Sequence, residues 1–149
     1  MSEQPAFFVY TEYSTIHFIA NRIMPSINIA VIDDDEITLE LIVTILKSDL
    51  DVNVVSFSNS TLAREFLLKQ TSDSLDMVIS DMVMPGFDGL ALLRDVRAAG
   101  LMFPFLFMTA YESRQTKLLA KQLGAVAYLV KPIIRKKLVN LVKQTISSH

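Results

Sequence analysis

From Ile27 onward the chain repeats one pattern five times: a short apolar run, a polar turn, then apolar residues at helical spacing. The runs are Ile27–Ile32, Val52–Phe57, Leu75–Ser80, Pro104–Met108 and Ala125–Val130. Three are apolar nearly throughout, as strands buried on both faces are. Phe103, Phe105 and Phe107 share one side of the fourth run, with Leu106 and Met108 on the other. The second run, with Asn53 and Ser56, is the more polar and is predicted to be an edge strand. Between the runs, stripes of Ile37, Leu41, Ile45 and Leu46, then Leu62, Phe66 and Leu67, then Leu90, Leu93 and Val96 predict buried helix faces. Leu138, Leu141, Val142 and Ile146 do the same for the last helix. Asp88 is placed as an N-cap, Gly100 and Gly124 as helix stops, and Pro132 at the opening of the fifth helix.

Strand–helix alternation with short connections means right-handed βαβ units and a parallel sheet covered on both faces. Five units predict a doubly wound α/β domain of the flavodoxin-like kind, strand order 2-1-3-4-5. At 149 residues the chain is one such domain long. In such a sheet, ligands bind beyond the carboxyl ends of the strands. Composition narrows the chemistry available there. There is no cysteine, and the two histidines, His17 and His149, lie near the chain's extremities. Thiolate sites, a Ser-His-Asp triad and a two-histidine zinc site are therefore excluded from the body of the domain. A net charge of −2 gives no field that would gather nucleic acid. Oxygen chemistry remains.

After the first strand come Asp33, Asp34 and Asp35; after the third, Asp81; after the fourth, Thr109; after the fifth, Lys131. Two carboxylates about 5 Å apart at an effective dielectric of about 20 repel by roughly 3 kcal/mol, so such a cluster calls for a cation or a retained proton. An all-oxygen site suits Mg²⁺ or Mn²⁺ rather than zinc. Cation and lysine around one carboxylate, with a hydroxyl beside it, suit transfer of a phosphoryl group onto that carboxylate. Taken singly, each feature has a plainer meaning. The acidic triplet could be a helix cap, Thr109 a capping hydroxyl, Lys131 a solvated loop lysine, and Met84-Pro85-Gly86 a turn. The four together, each at its own strand end and in order, are far more specific.

Ile29-Ala30-Val31-Ile32-Asp33-Asp34-Asp35, Asp81-Met82-Val83-Met84-Pro85-Gly86-Phe87-Asp88-Gly89, Met108-Thr109-Ala110 and Tyr128-Leu129-Val130-Lys131-Pro132 resemble the signature blocks of response-regulator receiver domains. The resemblance runs from about Ile27 to Ile146. It implies that Asp81 is the phosphoacceptor. It also implies that Asp34 and Asp81 ligate Mg²⁺, with Asp33 acting through a bound water and the Val83 backbone carbonyl as another ligand. Asp35 stays a rival for Asp34, although the family pattern has a third acidic residue there without a metal role. Thr109 and Lys131 would hold the phosphoryl oxygens. The Lys131–Pro132 bond would be cis. On phosphorylation Thr109 would move inward and Tyr128 turn from exposed to buried; alternatively Tyr128 is an ordinary half-buried strand aromatic. Val83 and Tyr111 would flank the path of the hydrolytic water and slow loss of the phosphoryl group.

The resemblance further implies a phosphohistidine donor on a histidine kinase or a histidine phosphotransfer protein, or a small acyl phosphate. Such a domain arranges its own phosphorylation and dephosphorylation and is not a turnover enzyme. Output would go to a downstream protein through the fourth helix, fifth strand and fifth helix, without DNA or membrane contact. Arg135, Lys136, Lys137 and Lys143 read as a solvated helix face.

Residues 1–26 are an N-terminal extension to the receiver domain at 27–149. They hold five of the thirteen aromatics and neither a signal pattern nor a run of about 18 apolar residues, which predicts a cytoplasmic protein. The extension reads as a mis-assigned translation start, a flexible tail, or an element packing on the domain or on a second copy, so a homodimer is allowed. Two rival functions are a haloacid-dehalogenase-like phosphatase, faintly echoed in Asp33-Asp34-Asp35-Glu36-Ile37-Thr38-Leu39, and a receiver-shaped scaffold that is never phosphorylated.

Overall fold

The computed structural model describes residues 26–84 and 88–148, so the expectations for the N-terminal extension and for Pro85-Gly86-Phe87 lie outside the described residues. Five strands, β1 (Ile27–Ile32), β2 (Val52–Phe57), β3 (Met77–Asp81), β4 (Phe105–Thr109) and β5 (Ala127–Val130), form one parallel sheet in the order β2-β1-β3-β4-β5. Five helices connect and follow them: α1 (Glu36–Asp49), α2 (Ser60–Leu68), α3 (Gly89–Ala98), α4 (Arg114–Gln122) and α5 (Arg135–Ser147). The flavodoxin-like order and the edge position of β2 are as the sequence predicts.

Alternation along the strands splits the core in two. Ile29, Val31, Ile79, Leu106 and Met108 pack on one face against Ile42 and Leu46 of α1 and Leu138 and Val142 of α5. Ala30, Ile32, Val78, Phe105 and Phe107 pack on the other against Leu67 of α2, Leu92, Leu93 and Val96 of α3, and Ala120 of α4. Both faces of β3 and β4 are covered, and every residue of those two strands is buried. This is why their sequences show no polar alternation.

Helix phases differ from those expected. On α1 the buried residues are Leu39, Ile42, Ile45 and Leu46, while Ile37 is 81 % exposed. The helix carries apolar residues nearly all round, so periodicity admits more than one stripe. Packing on the sheet selects Leu39, Ile42 and Leu46, and Asp35 is the N-cap, accepting from the Ile37 amide and from Thr38 Oγ1. On α2, Ala63 and Leu67 are buried while Leu62 is exposed. On α5, Val139 and Thr145 join Leu138 and Val142 inside, with Leu141 and Ile146 only partly covered. That helix begins at Arg135, so Pro132 does not open it. Pro132 follows a cis peptide bond with Lys131, as the resemblance implied. Gly100 and Gly124 take positive φ (80° and 88°) where α3 and α4 stop. Among the described residues no helix is long and apolar enough to cross a membrane.

Candidate functional site

Strand ends bring the site together, and hydrogen bonds continuing past them hold the backbone in place. The Asp33 amide donates to Phe57 O (3.1 Å), Met82 N to Met108 O (2.8 Å), and Lys131 N to Thr109 O (2.7 Å). The side chains of Asp33, Asp81, Thr109 and Lys131 therefore leave a backbone already locked in register. The carboxylates of Asp33 and Asp81 and the Lys131 ammonium meet at the carboxyl edge of β1, β3 and β5, and Thr109 stands at the same edge as the last residue of β4.

Asp33 is fully buried and anchored at both oxygens: Oδ1 accepts from the Asp35 amide (2.9 Å), and Oδ2 accepts from Lys131 Nζ (2.9 Å). Lys131 Nζ also donates to Asp81 Oδ2 at 3.3 Å. Asp81 Oδ1 accepts from the Val83 amide at 3.4 Å. Burial, and then the neighbouring Asp33 charge, push the Asp81 carboxyl above the ordinary carboxylate range; Lys131 and the Val83 N–H draw it partly back. At Lys131 burial works against the charged form, but the two carboxylates outweigh it and its pKa is raised. The lysine is a resident counter-charge.

One oxygen each from Asp33, Asp34 and Asp81 lie within 4.8 Å of one another. Asp34 is exposed, so the group is open to solvent on one side. All donors are carboxylate oxygens, with no imidazole or thiolate among them, and one lysine does not balance three such groups. This set fits a hard divalent cation that keeps some of its waters. Of the two rivals in the acidic triplet, Asp34 is the one with an oxygen in the group; Asp35 caps α1.

Thr109 is buried beside these groups, but its hydroxyl is engaged elsewhere. It donates to the Tyr111 carbonyl (2.9 Å) and accepts from the Tyr111 amide (3.1 Å). Tyr128, half-buried on β5, donates its hydroxyl to the same carbonyl at 3.4 Å. Val83 and Tyr111 are 66 % and 83 % exposed. Sequence reasoning missed Gly89. A Cβ there would lie 2.4 Å from the Asp81 carbonyl oxygen and 2.8 Å from the Phe107 ring, so the start of α3 presses on the strand end that carries Asp81. The signal was present as a glycine directly after the Asp88 cap, at a helix's first position.

A doubly wound sheet with an acidic cluster and a lysine at its carboxyl edge defines a class, and the family assignment agrees: residues 29–143 match the response regulator receiver domain, and the chain belongs to that family. Receiver domains are signalling domains of two-component systems rather than turnover enzymes.

Among its relatives, the chain is 33 % identical over 104 residues to the alkaline phosphatase synthesis transcriptional regulatory protein PhoP of Bacillus subtilis (strain 168), covering 70 % of this chain and 42 % of that protein. It is 34 % identical over 119 residues to the DNA-binding transcriptional regulator NtrC of Escherichia coli (strain K12), covering 80 % of this chain and 24 % of that protein. The chain thus spans less than half the length of these curated relatives. Among solved structures, a response regulator receiver domain protein from Clostridium thermocellum superposes with a TM-score of 0.75 at 29 % identity, covering 82 % of this chain and 95 % of that one. A response regulator from Thermotoga maritima gives 0.70 at 28 %, covering 82 % and 98 %.

Proposed function

We propose that Asp81 accepts a phosphoryl group and that the resulting aspartyl phosphate switches a protein-interaction surface. The observation that carries this is the meeting of three carboxylates within 4.8 Å of one another, with Lys131 Nζ bonded to both Asp33 and Asp81. Asp33, Asp34 and Asp81, with the Val83 backbone carbonyl, would hold Mg²⁺, or Mn²⁺ in its place. When bound, the ion neutralises charge on the cluster and on the phosphoryl oxygens.

The remaining chemistry belongs to the chain. An Asp81 carboxylate oxygen attacks phosphorus in line while the bond from phosphorus to the donor's nitrogen or oxygen breaks, giving an acyl phosphate and a freed donor. Lys131 Nζ, already held by Asp33, exchanges its contact with the carboxylate for one with a phosphoryl oxygen. The Thr109 hydroxyl leaves the Tyr111 carbonyl and donates to another. Tyr128, which shares that carbonyl, then turns inward and reshapes α4, β5 and α5. The phosphodonor is a phosphohistidine on a histidine kinase or phosphotransfer protein, or a small acyl phosphate, in the cytoplasm. Exposed Val83 and Tyr111 stand two residues beyond Asp81 and Thr109 and shield the bond from water.

Incubation with a ³²P-labelled acyl phosphate and Mg²⁺ tests the assignment. Label is expected on the wild type and absent from a folded Asp81→Asn variant; persistent label on that variant refutes it. Label whose incorporation also requires Lys131 and is prevented by a chelator added beforehand supports the roles of the other groups.

A further inference from the structure

β1 starts at Ile27 on the amino edge of the sheet, opposite the acidic cluster, and twenty-five residues of chain precede the exposed Ser26. At that edge a groove of 420 Å³ passes from the start of β1, under the approaches to β3 and β4, to the end of α5. Ile27 itself forms one wall, and Leu75, Met102, Phe103 and Ile146 line the groove further along. Leu75 and Phe103 are buried beneath it, whereas Met102 is 64 % exposed. Two carboxylates stand beside these apolar groups. Asp76 Oδ2 accepts from the Asn28 amide at 2.7 Å, and Asp73 is exposed. None of the ion pairs among the described residues takes in either one.

The chain that leads into Ile27 matches the groove in chemistry. Phe18, Ile19, Ile23 and Met24 are apolar, and Arg22 is the only Lys or Arg before Ser26. Neighbouring strands lie about 4.8 Å apart, so the way from β1 past β3 to β4 is about 10 Å, which three or four extended residues cover. Pro25 suits a turn directly ahead of the strand.

We propose that residues 18–24 fold back into this groove of their own chain. Ile23 and Met24 cover Met102 and Ile146, and Arg22 meets Asp73 and Asp76. A segment tethered to the groove's own wall acts at an effective concentration of about a millimolar, which a separate partner has to exceed. The inference concerns the edge opposite Asp81 and stands apart from the proposed phosphorylation.

The test uses the full chain. Because the chain has no cysteine, Ser14→Cys takes a single nitroxide label ahead of the docked residues. Val52 pairs with Ile27 on the side of β1 away from the groove and serves as the reference. The label should attenuate the amide signals of Met102, Phe103 and Ile146 more strongly than that of Val52. Arg22→Glu should lower the docked population about threefold, and Asp73→Arg in the same chain should restore it. Met102→Glu, a change at an exposed position, should lower it as well. Equal attenuation at Val52 and Met102 shows a tether without a site and overturns the proposal, as does attenuation indifferent to Arg22→Glu. Attenuation in a mixture of nitroxide-bearing ¹⁴N chains with unlabelled ¹⁵N chains gives the contact to a second copy and overturns it. No attenuation at Met102, Phe103 or Ile146 leaves the groove to a partner protein and overturns it too.

Discussion

An ionised Asp81 is held where burial and a second carboxylate make it unwelcome, and the consequence is measurable. Its folded pKa lies above the ordinary value of 3.8 because of burial and the Asp33 charge. A raised acid pKa means that stability is complete below the unfolded value and is lost as pH rises through the folded one. With a chelator present, the wild type should therefore melt a few degrees below Asp81→Asn at neutral pH, and the gap should close as pH falls below the ordinary carboxylate range. Adding Mg²⁺ should raise the melting temperature of the wild type more than that of the variant. A variant that melts lower than the wild type at neutral pH in chelator would contradict this picture of the site. A second effect belongs to single side chains. Val83→Asn places a water-binding amide beside the aspartyl phosphate and should speed its hydrolysis about tenfold, equivalent to roughly 1.4 kcal/mol in the barrier. An unchanged or slower rate, followed as loss of label, would count against the shielding role of Val83. Asp33, Asp81 and Lys131 were legible because each sits at or just past a strand end. The Thr109 hydroxyl's attachment to Tyr111 was not, since it depends on how the following loop folds back.

At the scale of elements, packing direction rather than composition decided what the sequence left open. Ile37 and Leu41 had the spacing of a core stripe, yet α1 packs on the sheet through Leu39, Ile42 and Leu46. A helix apolar on several sides has no phase of its own; the strand that feeds it sets one. The start of α3 shows the same dependence more sharply. The Gly89 amide donates to Met82 O (2.9 Å), and the missing side chain lets the helix close on the end of β3. Gly89→Ala would force backbone against backbone and should destabilise the fold by about 2 kcal/mol, as overpacked sites do. Because the clash falls on the Asp81 carbonyl, labelling of the folded fraction should slow as well. Wild-type stability in chemical denaturation would show that the helix can retreat without consequence.

Across the whole molecule, the fold was readable because five short apolar runs and their helical connections leave few parallel topologies. Strand order and the sheet edge that carries the site follow from that alone. The bond from Tyr128 to the Tyr111 carbonyl was invisible in the sequence, since it joins β5 to the loop after β4 and depends on how the two pack. Switching should be uneven on this scale. Acyl phosphate with Mg²⁺ is expected to change amide hydrogen exchange in α4 and in Ala127–Val130, while the interior of β1 and β3 exchanges as before. A uniform change throughout the sheet would argue for general stabilisation instead of a directed rearrangement. Lys131 has one more consequence, because it reaches back 98 residues in the chain to Asp33. During synthesis the ribosome makes these acidic residues first and their balancing ammonium only after β4, 98 residues past Asp33. A nascent chain stopped before β5 carries mutually repelling carboxylates without their lysine, so competence to receive a signal arrives only with the last strand.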